Sequence, residues 1–114
     1  MESVILITDK HFTLDQLSSV WRNKSISINR INDRLAIELP EGRIYADLIV
    51  NGRDEYVEEE IKKIDIDLPV FYSISYSNSV ILKLFLGNSM LKNYFYIDDD
   101  HGGITLFNEF LNRL

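Results

Sequence analysis

The sequence predicts one α+β domain spanning residues 1–114, with helices packed against a mostly antiparallel sheet. Three observations support this fold class. A chain of 114 residues is long enough to bury one hydrophobic core and too short for two ordinary domains. Apolar residues make up 46% of the chain and charged residues 26%, as in folded globular proteins. The hydrophobic period alternates between two and about 3.6 residues, which predicts the order β-α-β-β-β-α-β-α-β-α.

The first two predicted elements are a strand and a helix. Residues 4–7 are continuously apolar, which is typical of a buried strand. In the following helix, Thr13 and Gln16 have the spacing of a capping box. Apolar residues then recur at helical intervals at Leu14, Leu17, Val20 and Trp21.

A three-stranded meander is predicted next. Between residues 25 and 50, apolar and polar residues alternate with a period of two. Turn-forming residues at Asn32-Asp33 and Pro40-Glu41-Gly42 separate the three runs. Alternation of this kind places one face of the meander in the core.

An acidic helix is predicted to begin at Asp54. Its apolar stripe consists of Val57, Ile61 and Ile64. Glu58 and Glu59 each precede a lysine by four residues, Lys62 and Lys63, so two favourable ion pairs are expected along the helix. The stripe and the pairs together predict a helix that lies on the surface.

The remaining elements close the domain. Pro69 precedes a predicted strand over residues 70–76. Residues 77–86 fit either a buried helix or one strand of a hairpin, and we favour the helix. Residues 94–97 predict a strand and residues 98–103 a loop. The last helix is predicted to be capped at Thr105, with an apolar face formed by Leu106, Phe107, Phe110, Leu111 and Leu114.

Composition excludes several classes of function. The chain has no cysteine, so a disulfide scaffold, a thiol nucleophile and a thiolate zinc site are excluded. The first residues lack the pattern of a signal peptide, and no apolar run approaches the roughly 18 residues of a membrane span, so a cytoplasmic protein is expected. A net charge of −6 argues against binding to nucleic acid or to anionic membranes. It favours a basic protein partner, although acidity alone also serves solubility.

The carboxylates are concentrated in two places. Seven of the eighteen acidic residues lie between Asp54 and Asp67, against two lysines, and three more form the run Asp98-Asp99-Asp100. Tyrosine anchors protein interfaces well, and Tyr56 is predicted to be exposed among these carboxylates. The predicted partner-binding residues are therefore Glu55, Tyr56, Glu58, Glu59, Asp65, Asp67, Asp98, Asp99 and Asp100.

A catalytic or metal site is not expected. Residues 98–109 resemble a calcium loop in spacing, but Gly102 stands at its fifth ligand position and a strand precedes it where the motif needs a helix. His11 and His101 are the only imidazoles, and no serine has a nucleophile motif. We predict no cofactor and no enzymatic activity. The alternative is a small metal-dependent hydrolase that uses Asp98, Asp100 and His101.

The acidic surface, the mixed α/β order and the ending Tyr94-Phe95-Tyr96-Ile97-Asp98-Asp99-Asp100-His101-Gly102-Gly103-Ile104, followed by Glu109-Phe110, resemble the small immunity proteins of bacterial polymorphic-toxin and contact-dependent growth inhibition systems. The resemblance covers the whole chain in style but contains no specific motif. It implies a cytoplasmic, non-enzymatic protein that neutralises a co-produced toxin domain, often a nuclease. An adaptor for another basic protein is a further alternative, and the oligomeric state is left open.

Overall fold

The structure is a computed structural model that describes residues 1–88, 90–99 and 103–114, and it confirms the α+β fold. A seven-stranded antiparallel sheet has the order β2-β3-β4-β5-β1-β6-β7, with helices packed against it. Its strands are β1 (Glu2–Thr8), β2 (Ser27–Ile31), β3 (Arg34–Leu39), β4 (Gly42–Leu48), β5 (Val70–Tyr76), β6 (Tyr96–Asp98) and β7 (Ile104–Leu106). The helices are α1 (Leu14–Trp21), α2 (Glu58–Ile61), α3 (Ser79–Leu86) and α4 (Phe107–Arg113), and a short 3-10 turn spans Gly52–Glu55.

Strand β1 lies inside the sheet between β5 and β6. Leu6 is opposite Tyr72 on one side and Ile97 on the other. Because the main core buries Leu6 on one face and a second apolar cluster buries Ile7 on the other, a continuously apolar sequence suits β1, as residues 4–7 predict. The meander β2-β3-β4 extends the sheet beyond β5, with Ile44 opposite Tyr76.

The main core fills one face of the sheet, beneath α1, α3 and α4. Trp21 of α1 stacks on Phe85 of α3, with ring centroids 6.2 Å apart and nearly parallel planes. Tyr72 and Ile74 point into this core from β5. Thr13 caps α1 by accepting a hydrogen bond from the Gln16 N–H, so the predicted cap is confirmed.

The opposite face of the sheet is covered only in part. Residues 52–66 cross β5, β1 and β6 and bury a second apolar cluster formed by Ile7, Ile64, Phe71 and Tyr96. The meander on this side presents polar side chains, including an ion pair in which Arg34 Nε donates to Asp47 Oδ1 over 2.6 Å. In β3 and β4 this open part of the face agrees with the alternation that predicts one buried and one solvated side. In β2 only Ile28 is partly buried, and Ile26 before it is exposed, so the predicted burial of one face does not extend to that strand.

Two predicted helices have different outcomes in the structure. The acidic helix from Asp54 is wrong: the segment forms the 3-10 turn and the four-residue α2, and Val57 is 59% exposed. The helix ends at Ile61 because the chain must bring Ile64 down onto the sheet. The helix favoured for residues 77–86 is confirmed as α3, which begins at Ser79, and Asn78 caps it by accepting a hydrogen bond from the Ile81 N–H over 3.0 Å.

The end of the chain contains a strand that the sequence pattern does not predict. Residues 104–106 form β7 and pair with β6, with Thr105 opposite Ile97. Thr105 is therefore in a strand, and the predicted cap there is wrong: Leu106 is the N-cap of α4. Strand β6 begins at Tyr96, two residues later than predicted, and ends at Asp98, one residue later than predicted. Part of the predicted loop, residues 100–102, lies outside the described residues.

Candidate protein-binding surface

The acidic segment, residues 54–67, is fixed to the sheet by its apolar side chains. The ring of Tyr56 stacks on Phe71 with centroids 5.6 Å apart, and Ile64 is buried in the second cluster. The Asp65 N–H donates to the hydroxyl of Tyr96 over 3.0 Å. These contacts hold the backbone against the sheet, so the charged side chains of the segment point outward.

Five predicted carboxylates are exposed on this segment: Glu55, Glu58, Glu59, Asp65 and Asp67, which together are called the acidic surface. Within residues 1–88, 90–99 and 103–114, none of the five has an ion-pair partner. The predicted pairs from Glu58 to Lys62 and from Glu59 to Lys63 are wrong, because α2 ends before either lysine. None of the carboxylates of the acidic surface is therefore held in a direct ion pair within the described chain.

The acidic surface continues along a groove. Glu58, Asp65 and Asp67 line one depression of about 380 Å³, together with Arg53 and Lys62. Asp65 and Asp67 also line a second depression of about 290 Å³, which reaches Asp9 and Tyr94. The two depressions share both aspartates, so the structure brings three of the predicted residues together along one path.

Tyr56 and Asp98 do not lie on the acidic surface. Tyr56 is half-buried, Asp98 is only 9% exposed, and the tyrosine hydroxyl donates to Asp98 Oδ2 over 2.8 Å. Burial, followed by the Asp98 hydrogen bond and the charges of Asp98, Glu55 and Glu60, raises the pKa of Tyr56 above its ordinary value. The interpretation of Tyr56 as an exposed anchor is corrected here, because its ring is needed to cover Phe71.

The aspartate run does not form one surface. Asp98 faces the acidic segment, whereas Asp99 lines a groove on the helix side with Tyr76 and Arg113. Successive strand residues point to opposite faces, which separates the two carboxylates. Asp100, the third member of the run, and His101, which the hydrolase alternative also uses, lie outside the described residues. In the part of the chain that the structure describes, no group of three His, Asp or Glu side chains could hold a metal ion.

A groove beside Tyr94 is the feature that sequence reasoning missed. Tyr94 is 51% exposed and its hydroxyl donates to Asp9 Oδ2 over 2.5 Å, while Leu68 nearby is 69% exposed. Partial burial raises the pKa of Asp9, but hydrogen bonds from Tyr94 and the His11 N–H outweigh it and leave that pKa below its ordinary value. Asp9 directly follows β1, and only the sheet order brings it to Tyr94.

The fold defines a class only at the level of architecture, a seven-stranded antiparallel α+β domain with one partly open sheet face. Comparison with known proteins gives no match to a family model, to a curated protein or to a solved structure. Among the described residues, no helix has the length and apolar character that crossing a bilayer would require.

Proposed function

We propose that this chain is a cytoplasmic immunity protein that binds and neutralises a cognate basic toxin domain through its acidic surface. The observation that carries the proposal is the set of five exposed carboxylates without ion-pair partners in the described chain. Carboxylates that only serve solubility can be spread over the molecule, whereas these lie on one segment of fourteen residues anchored to the sheet.

Electrostatics gives this surface a specific role. Concentrated negative potential steers a positively charged partner during diffusion and raises association rates by about 10- to 1,000-fold at low salt. A nuclease toxin must carry lysines and arginines to hold the phosphates of its substrate. An acidic protein that occupies the substrate-binding groove of the nuclease competes with its substrate, which accounts for neutralisation without enzymatic chemistry.

The Tyr94 groove supplies the apolar contact that charge alone does not give. Leu68 and Tyr94 are exposed beside Asp65 and Asp67, so an arginine or lysine stem can lie on apolar surface while its charge meets carboxylates. Asp9 already holds the Tyr94 hydroxyl, which reduces the side-chain entropy lost when a partner binds.

The test measures binding to the carboxy-terminal domain of a large secreted protein encoded by the adjacent reading frame. Two variants reverse charge on the surface: Glu55, Glu58 and Glu59 to lysine in one, and Asp65 and Asp67 to lysine in the other. We expect the association rate at low salt to fall at least about 10-fold in either variant, and its salt dependence to flatten. Cells that express the toxin domain should lose protection in parallel.

A control matched to the triple glutamate variant makes the same change in net charge at exposed positions elsewhere, with Asp33, Glu41 and Glu109 replaced by lysine. This control should retain protection and most of the association rate. The proposal is rejected if the control loses as much binding as the surface variants, because general charge would then explain the effect. It is also rejected if the neighbouring domain binds but is not toxic, since that result describes an adaptor.

No observation favours the metal-dependent hydrolase. Asp98 is buried and accepts the Tyr56 hydroxyl, and the other two residues of that hypothesis, Asp100 and His101, are not among the described ones.

A further inference from the structure

Strand β2 forms one edge of the sheet, and its outer side is available for pairing. It runs for five residues against β3, with Ile31 opposite Arg34 across the turn at Asn32-Asp33. The two residues that flank a two-residue turn form a hydrogen-bonded pair, in which each donates to and accepts from the other. Along an antiparallel ladder such pairs alternate with pairs that are not hydrogen-bonded to each other. Ile28 and Arg30 therefore direct their backbone N–H and C=O groups away from β3.

The β2 edge lacks the features that usually prevent strand addition. It contains no proline, no lysine and no inward-pointing acidic residue, and Ile31 is 64% exposed. Its one charged side chain, Arg30, is engaged by Asp15 of α1. The opposite edge, β7, is only three residues long and offers a much shorter template.

Charge shows which partner fits this edge. Residues 15–47, from α1 to β4, carry five acidic and five basic side chains, so the whole net charge of −6 lies elsewhere in the chain. The acidic segment covers β5, β1 and β6, which are about 14–24 Å from β2 by strand spacing. This distance exceeds the Debye length of about 8 Å at physiological salt. A second copy can therefore approach the β2 edge without facing the acidic surface, whereas a basic partner gains nothing there.

We propose that two copies of this chain associate through antiparallel pairing of their β2 strands, forming one continuous sheet of fourteen strands. The hydrogen-bonding residues select the register. Pairing Arg30 with Arg30 of the second copy would oppose like charges. Pairing Ile28 with Arg30 of the second copy uses all five strand residues. In this register Asn29 lies opposite Asn29 of the second copy, at the two-fold axis. A strand of five residues gives a small contact of about 17 Å in length, so the dimer is weak and forms at high concentration.

The absence of native cysteine permits a direct test by cross-linking. Opposed residues at a non-hydrogen-bonded position have Cα atoms about 4.5 Å apart, within the range of a disulfide. Asn29→Cys should therefore form an interchain disulfide much faster than Val80→Cys, a control at a position that is 59% exposed on α3. Sedimentation equilibrium of the unmodified chain should show a monomer–dimer equilibrium with little dependence on salt.

A second variant tests the edge without cross-linking. Asn29→Lys places two lysines opposite each other at the axis and should abolish the dimer, while Val80→Lys should leave the equilibrium unchanged. Circular dichroism checks that both variants fold. The proposal is overturned if the unmodified chain stays monomeric up to millimolar concentration, or if Asn29→Cys and Val80→Cys cross-link at equal rates. It does not depend on the proposed toxin binding, which is measured with a different partner and a different surface.

Discussion

Tyr56 and Asp98 are joined by a hydrogen bond of 2.8 Å from the tyrosine hydroxyl to the carboxylate, across 42 positions of sequence. This bond connects the acidic segment to β6, a strand near the opposite edge of the sheet from the meander. The Asp98 carboxylate is nearly buried, so the hydrogen bond that it accepts from the Tyr56 hydroxyl contributes to stability.

Removing the hydroxyl should therefore destabilise the fold. We expect Tyr56→Phe to lower the free energy of unfolding by about 1–2 kcal/mol, because Asp98 loses a donor while the stacking on Phe71 is kept. Urea denaturation measures the change. Tyr45→Phe on the open sheet face is the matched control, and an equal loss in that variant would contradict the assigned role of the bond.

The same bond predicts a dependence on alkaline pH. The pKa of Tyr56 is raised in the folded state, mainly by burial and then by Asp98. The protonated hydroxyl therefore makes its full contribution to the free energy of unfolding below the unfolded pKa of about 10. Stability should fall as the pH rises above about 10, because the unfolded state releases this proton first. Tyr56→Phe should show a shallower decline in thermal unfolding over the same pH range, and an identical decline would refute the link.

Gly52 is expected to be sensitive to the addition of one methyl group. A Cβ at this position would lie 2.7 Å from the ring of Phe71, closer than real contacts allow. Gly52→Ala should lower stability by about 1–3 kcal/mol and lift the acidic segment from the sheet. Gly87→Ala, whose Cβ would approach nothing closer than 3.4 Å, should be much milder. Hydrogen exchange of residues 53–66 would report the displacement, and unchanged exchange would contradict it.

The Asp9–Tyr94 contact predicts a titration shift at acid pH. Hydrogen bonds from Tyr94 and the His11 N–H outweigh partial burial and lower the pKa of Asp9. In Tyr94→Phe this pKa should move up toward its ordinary value of about 3.9. Carboxyl carbon shifts followed by NMR between pH 2 and about 6 measure it. If the Asp9 midpoint is unchanged by the substitution, the hydroxyl does not hold the carboxylate in solution.

Phe85 tests the main core. It is 1% exposed and stacks on Trp21, so Phe85→Ala removes contacts between α3 and α1. We expect a loss of about 3–5 kcal/mol in the free energy of unfolding. Trp21 fluorescence during denaturation provides the readout, and a loss below about 1 kcal/mol would show that the stacked pair is not a central contact.

Local patterns predict the parts of this fold that local physics determines. The cap at Thr13 and the alternation that buries one face of β3 and β4 depend on near neighbours in the sequence and are confirmed. Strand β7 was missed because a three-residue strand has no period of its own and exists through pairing with β6. The length of α2 was wrong because the burial of Ile64 on the sheet overrides helical spacing.

The candidate surface also combines features that the sequence predicts with features that depend on contacts between distant residues. The five exposed carboxylates follow from composition, since charged side chains without partners stay in water. The burial of Asp98 could not be predicted, because its partner Tyr56 is distant in sequence. The groove at Tyr94 requires knowing that residue 9 and residue 94 meet, which depends on the strand order alone.

The position of β1 between β5 and β6 has a consequence for synthesis in the cell. Glu2 pairs with Tyr76, and Ile7 pairs with Tyr96. An emerging chain thus carries an apolar strand whose neighbours are translated some 60 to 90 residues later. Folding should be completed only after most of the chain has left the ribosome, and nascent chains that end before β5 should depend on chaperones to keep β1 from aggregating.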